Sequence, residues 1–290
     1  MARTVYDAAL ELGFLTGVDA KDPLTRNSAG LFYKDYTQFL KKDSLKGVRL
    51  GVIRDLNGTD PEVDRVFNAS LEELKQLGAT LVDPVNLPAA AIQARYTVME
   101  PMRAEVQDNY RDYLGTLRPG FPKSVTEIAA KGILLTSPTG TFVPHPSVFT
   151  RFKALGERVP TTSLSYTSAK LHGMAAVQGA VLGLIDDQHL DALVYPTRSK
   201  RPEMIDPNTP NIVDRPPTPS LNFIANVTQF PDVIVPAGVT SDKMPVTISF
   251  FGPAYSEPKL IGYAYSYEQA THHRVSPSTT PALPGEHFTY

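Results

Sequence analysis

The stretch from Leu45 to Val85 constrains the fold more than any other part of the chain. It reads "LKGVRLGVIRDL" and then, after a short polar break, "DPEVDRVFNASLEELKQLGATLVDPV". Val48, Leu50, Val52 and Ile53 form an aliphatic, partly β-branched run opened by a glycine, which is the pattern of a strand. Pro61 then stands at a first helical position, and apolar residues recur at 63, 66, 67, 71, 74 and 77. Gly78 follows where a helix C-cap belongs. The run "ATLVDPV" closes a strand–helix–strand unit whose length suits a right-handed crossover between parallel strands. An α/β architecture follows from this unit alone.

Other segments extend the pattern. Val5, Ala8, Ala9, Leu12 and Leu15 have helical spacing behind Thr4, a candidate N-cap, so a helix is expected from Val5 to Leu15. The middle reads as helical: "AIQARYTVMEPMRAEVQDNYRDYLGTL", broken or kinked at Pro101, then "SVTEIAAKGILL". Thr136 to Pro146 is a Pro-rich loop, and a long helix is expected over Ser165 to Asp187. "LDALVYPT" has the composition of a buried strand ending in a turn. Arg198 to Ser220 carries six of the 26 prolines and little periodicity, so it reads as a long loop. "SLNFIANVTQFP" begins helical, "DVIVPAG" and "PVTISFFG" read as strands, and "SEPKLIGYAYSYEQAT" as a last helix before a Pro-rich tail over 276–290. With no internal repeat and no clean linker, residues 1–290 are expected to form a single domain. The expected fold is a mixed, largely parallel sheet flanked by helices on both faces.

Composition narrows the function classes. The 28 basic and 30 acidic residues give a net charge of −2, so no global field draws the chain to nucleic acid or an anionic membrane. There are no cysteines, which removes disulfides, thiolate metal sites and a cysteine nucleophile. The longest apolar runs fall short of the ~20 residues that cross a bilayer. No signal peptide is visible at the start, which makes the cytoplasm the default compartment. No G-x-S-x-G, G-x-x-x-x-G-K-[ST], H-E-x-x-H or G-x-G-x-x-G motif is present. His272 and His273 are adjacent, but neighbours on a helix point about 100° apart, so neither a metal nor a cofactor is expected. Gly173, Gly179 and Gly183 are expected to allow close helix packing.

Taken in order, "MARTVYDAALEL", "LKGVRLGVIRDL", "LKQLGATLVDPVNLP", "LDALVYPT", "NVTQFPDVIVPAG" and "MPVTISFFGPAYSEPKLIGYAYSYEQAT" resemble the carboxy-terminal half of amidase signature enzymes. The resemblance implies cleavage of a linear amide, or transfer of its ammonia, by a serine nucleophile, a second serine in a cis peptide and a lysine base. In the family these three precede the block that "MARTV" resembles, and none is in this sequence. It further implies that Met1 is an internal methionine, and that a chain lacking the first half exposes sheet edges and apolar faces.

By the same resemblance, Tyr195, Pro196 and Thr197 at one strand end, and Asn226, Thr228 and Phe230 before another, border the substrate cleft. The plainer alternative is that Pro196 and Thr197 end a strand while Asn226 and Thr228 cap local turns. Gln229 stands where the family often has Gly. The Pro-rich loop 198–220 is either a solvated loop or a wall over the cleft, offering Arg198, Lys200 and Arg201 to an anionic group. Three functions stay open: the substrate-side part of an amide hydrolase, a non-catalytic amidase-like scaffold, or new chemistry using His145 or His172 with an acid. The expected partner is a small-molecule amide substrate once an amino-terminal half completes the site; nucleic acid is not expected, and homo-oligomerisation stays open.

Overall fold

A computed structural model describes residues 1–55, 58, 60–132, 153–155, 157, 159–201 and 222–276. The loop 136–146 with His145, most of the loop 198–220, and the tail from 277 lie outside the described residues. The chain divides into two compact units: residues 1–88, 181–202 and 218–290, and residues 89–180 and 203–217.

The first unit opens with α1, Val5–Leu15, where the extended Thr4 accepts the Asp7 N–H through its side chain at 3.0 Å. This satisfies one of the amides that every helix start leaves without an intrahelical partner. Strand β1 spans Arg49–Ile53 and helix α2 Pro61–Gln76. Asp60 caps α2 by accepting the Glu62 N–H, and Pro61 occupies its first turn. The turn out of α2 needs Gly78, whose φ of +93° is costly for a residue with a Cβ. Strand β2, Thr80–Val85, then runs parallel to β1 with Arg49 opposite Thr80. The strand–helix–strand unit is as the sequence predicts.

Strand β3 is Ala192–Pro196, β4 Asp232–Val239 and β5 Pro245–Phe251. The sheet order is β2-β1-β3-β5-β4, with β1 parallel to β2 and β3, and β5 antiparallel to β3 and β4. The sheet is mixed, as expected, and two of its four pairings among the described residues are parallel. The last helix of the described residues in this unit spans Glu257–Thr271. Alternation along the strands sends Leu50, Val52, Ala192, Val194, Val235, Ala237, Ile248 and Phe250 into one core, under Val66, Phe67, Leu71 and Leu74 of α2 and Leu260, Ala264 and Tyr267 of the last helix. Each large side chain removed from water there contributes about 1.5–3 kcal/mol relative to exposure. The other set of strand residues includes Gly51, where an added Cβ would lie 2.6 Å from Leu190 and 2.8 Å from Leu193. Val233 to Val235 is not uniformly core: Ile234, on the edge strand, is 47% exposed.

The second unit is helical. Helix α3, Ala89–Ala94, passes through a π turn, Arg95–Met99, into α4, Glu100–Met102, and α5, Ala104–Gly115; α6 spans Val125–Gly132. Further on, α7, Leu164–Ser168, passes through a second π turn, Ala169–Gly173, into α8, Met174–Asp187. The two expected long helices are therefore interrupted by π turns, the first of them just before Pro101. The π turns pack on each other, and a Cβ at Gly173 would stand 2.9 Å from Val98, so that glycine does permit close packing. Gly179 and Gly183 have nothing within 4 Å of an added Cβ, which corrects the packing role expected for them. In chain order α9 is Phe223–Thr228, and the Glu257–Thr271 helix is α10. No described helix is long and apolar enough to cross a membrane.

Candidate functional site

Register explains how residues far apart in sequence meet at the end of β3. Tyr195 pairs with Ser249, and Ser249 with Ile234. Directly opposed residues share a sheet face, and Asp232, two positions from Ile234, lies on that face as well. The Tyr195 hydroxyl donates to Asp232 Oδ2 at 2.7 Å, and Ser249 Oγ donates to the same oxygen at 3.3 Å. Thr197 Oγ1 is 2.9 Å from Ser249 Oγ and extends the chain of hydroxyls. Beside this polar core, the Phe251 ring contacts Tyr195 at 6.4 Å and Phe230 at 6.1 Å between centroids.

Asp232 Oδ1 is shielded from solvent without a hydrogen-bond partner. Burial raises the Asp232 carboxyl above its ordinary range, against the lowering effect of the two hydroxyls. Burial also pushes the Tyr195 phenol well up, and the neighbouring Asp232 charge adds to the shift. Both groups therefore hold their protons more tightly than they would in water.

Three of the six predicted residues, Tyr195, Thr197 and Phe230, are brought into this cluster. Thr228 is buried beside it as a local cap: its hydroxyl donates to Ile224 O at 2.7 Å and accepts the Phe230 N–H at 3.3 Å. Pro196 is buried at the strand end opposite Ile248, and Asn226 is exposed on α9. Gln229 has φ +58° and closes α9 in the left-handed region. That conformation costs a residue with a Cβ about 1 kcal/mol or more, which is the physical reason a glycine suits the position. The Gln229 side chain is exposed. Sequence reading passed over Asp232 and Ser249; the signal was an acid and a hydroxyl set inside the apolar runs "DVIV" and "TISFF".

Among the basic candidates, Arg201 is already paired: its Nε donates to Asp60 at 3.0 Å and Nη1 reaches Asp242 at 3.1 Å. Arg198 and Lys200 are exposed. His172 lines an open groove of about 500 Å3 in the second unit with Tyr96, Thr97, Ser165 and Ser168. One acid of that unit, Glu105, is engaged by Tyr166 at 2.6 Å and Lys170 at 2.8 Å. No group of three His, Asp or Glu side chains among the described residues is arranged to hold a metal.

Comparison with known proteins places the chain. The Amidase family model matches residues 1–261. A glutamyl-tRNA(Gln) amidotransferase subunit of Thermosynechococcus vestitus is 29% identical over 290 residues, covering 93% of this chain and 54% of that protein. A putative amidase of Arthroderma benhamiae is 28% identical, covering 94% and 46%. Among solved structures, the native peptide amidase of Stenotrophomonas maltophilia superposes with a TM-score of 0.72 at 28% identity, over 95% of this chain and 53% of that one. An amidase family protein from Bacillus anthracis, at 24% identity and TM-score 0.74, shares the fold. The chain spans about half the length of the curated relatives it matches. A match over most of its residues, with the sheet and helices of these structures, makes this chain a member of the Amidase family.

Proposed function

We propose that this chain is the substrate-side part of an enzyme that hydrolyses a carbon–nitrogen amide bond in a small molecule, and that both units belong to one partial amidase-like domain. The observation that carries the reading is the coverage: 93–97% of this chain is matched by relatives of which it covers only 46–56%. Amide hydrolysis needs an activated nucleophile and donors aimed at the developing oxyanion. This sequence holds neither the Lys motif nor the Ser- and Gly-rich segment that supply them in the family. The chain's own contribution is a wall. Asp232, Tyr195, Ser249 and Thr197 form a fixed polar core, and on it Tyr195, Pro196, Thr197, Asn226, Thr228 and Phe230 border the cleft.

The second reading, a non-catalytic scaffold, is favoured by one observation: Tyr195, Thr197 and Thr228 are buried and spend hydrogen bonds inside the protein. Assay against aryl and aliphatic amides at neutral pH separates the readings. The hydrolase reading expects no turnover by these 290 residues alone and clear turnover by the full product of the gene. Inactivity of a gene product that contains the Ser- and Gly-rich segment supports the scaffold. Hydrolysis by the isolated chain, abolished in His172→Ala, overturns both.

A further inference from the structure

A cavity of about 480 Å3 lies wholly within the first unit, where the end of α8 and the start of β3 face the start of α10. None of the six residues assigned to the cleft lines it. Its apolar walls include the buried Ile185 and Leu190. That volume, with a mostly apolar lining and a few polar groups, is typical of a site for an organic molecule rather than for a single ion. Tyr255 also lines the cavity, and its φ of +64° is a left-handed conformation costly for a residue with a Cβ. Its hydroxyl, donating to Asn27 O at 2.8 Å, fixes the ring there.

Charge distinguishes the walls. Asp186, in the last turn of α8, and Asp191, just before β3, are acidic, whereas Lys259, in the first turn of α10, is basic. Asp191 is held in place by the Arg49 N–H, which donates to its Oδ2 at 2.9 Å. Asp186 and Lys259 make no ion pair and no side-chain hydrogen bond among the described residues, although both line one cavity. Elsewhere in this unit opposite charges close on each other, as Arg54 does with Asp83 at 2.6 Å and Arg201 with Asp60 at 3.0 Å. Opposite charges kept apart beside apolar walls suit a ligand that carries both. A free amino acid holds its two charges on one carbon; a dipeptide sets them on separate residues and fills more of the space. We propose that this cavity binds a short zwitterionic peptide, its ammonium toward Asp186 and Asp191, its carboxylate toward Lys259 and an apolar side chain against Ile185 and Leu190. This site needs no nucleophile and stands apart from the hydrolase reading above.

Calorimetric titration of the full gene product with L-leucyl-L-leucine tests it, with N-acetyl-L-leucyl-L-leucine as the ligand that lacks the ammonium. Saturable one-to-one binding is expected for the free dipeptide, weakened about tenfold by acetylation and about tenfold by Asp186→Asn or Lys259→Gln, since each removes a charge-assisted contact. Both substitutions replace exposed, unpaired groups, so their unfolding midpoints are expected to match the parent. Ala254→Trp, an exposed position on the cavity lining, is expected to fill the space and abolish binding. The absence of saturable binding, equal affinity for the acetylated peptide, or an affinity that neither charge variant moves overturns the proposal. Loss of affinity in Tyr195→Phe with no loss in Asp186→Asn and Lys259→Gln places the peptide in the cleft and overturns it as well. Amide turnover plays no part in the titration, so failure of the peptide site and failure of the hydrolase reading are separately visible.

Discussion

Asp232 and Glu268 occupy different sides of the sheet, and each has one shielded carboxylate oxygen without a partner. Their surroundings differ. Glu268, on α10, accepts the N–H of Val5 at 2.9 Å, so its charge sits at the start of α1 where the helix dipole favours an anion. On the same side of the sheet lies the apolar core that includes Phe67, Phe250 and Tyr267. Asp232 receives two hydroxyls and no backbone amide, and its neighbours are the residues expected at the cleft. One carboxylate ties two helices together. The other gathers the hydroxyls of Tyr195, Ser249 and Thr197 at the strand ends.

The largest expected effect lies on the Glu268 side. Phe250 is fully buried and its ring meets Tyr267 at 6.3 Å, so Phe250→Ala is expected to remove about 3–5 kcal/mol of stability through lost transfer energy and a residual cavity. Urea denaturation of the variant and the parent measures it. A loss below about 1 kcal/mol would mean that this side is not closely packed, which would break the contrast.

On the Asp232 side, Tyr195→Phe removes one hydroxyl and little volume. It leaves a buried carboxylate with Ser249 as its remaining donor, at an expected cost of about 1–3 kcal/mol. The same variant bears on function. In the full gene product, a wall residue that touches substrate changes KM, whereas one that only stiffens the strand ends changes thermal stability and leaves KM alone.

Next in size is a pH effect common to both sides. Burial raises the Asp232 and Glu268 carboxyls above their ordinary range. In the window between the ordinary and the raised values the folded state binds more protons than the unfolded one. Stability therefore falls as pH rises through that window, and the penalty is complete once pH exceeds the raised values. Asp232→Asn and Glu268→Gln are each expected to flatten this decline. Asp232→Asn leaves Val5 amide exchange unaltered, and Glu268→Gln accelerates it. Identical exchange in both variants would show that Glu268 does not hold the start of α1.

The parts of this molecule legible in the sequence are those fixed by local chemistry. Thr4, Pro61 and Gly78 mark helix ends because capping and backbone preference act over a few residues, and α1, α2 and the flanking strands stand where those residues put them. Thr228 was legible in its plainer role, as a cap. The π turns at Arg95–Met99 and Ala169–Gly173 were not, because each depends on the other's packing. Asp232 and Ser249 were hidden for a related reason. Their meeting with Tyr195 depends on an antiparallel register between β3, β5 and β4, which no local pattern sets.

The smallest effect sharpens the comparison by reversing its sign. Glu62, at the start of α2, pairs with Arg65 at 3.0 Å and accepts the Ser241 N–H at 2.7 Å from the turn between β4 and β5. The Arg65 guanidinium, then that amide, holds its carboxyl down at about 2. Here the unfolded state binds more protons over the window between about 2 and the ordinary carboxyl range. The interaction thus stabilises above that range and is lost as pH falls through it. Both partners lie near water, where screening leaves exposed pairs little net energy. Glu62→Gln should shift the urea midpoint at neutral pH by less than Tyr195→Phe does, and should erase the small acid-side loss of stability. Added salt is expected to weaken the Glu62 contribution and to leave the Asp232 decline in place, since ions screen exposed charges far more than shielded ones. Equal salt sensitivity of the two would mean that Asp232 is open to solvent, and the distinction between a paired surface acid and a desolvated one at the strand ends would fail.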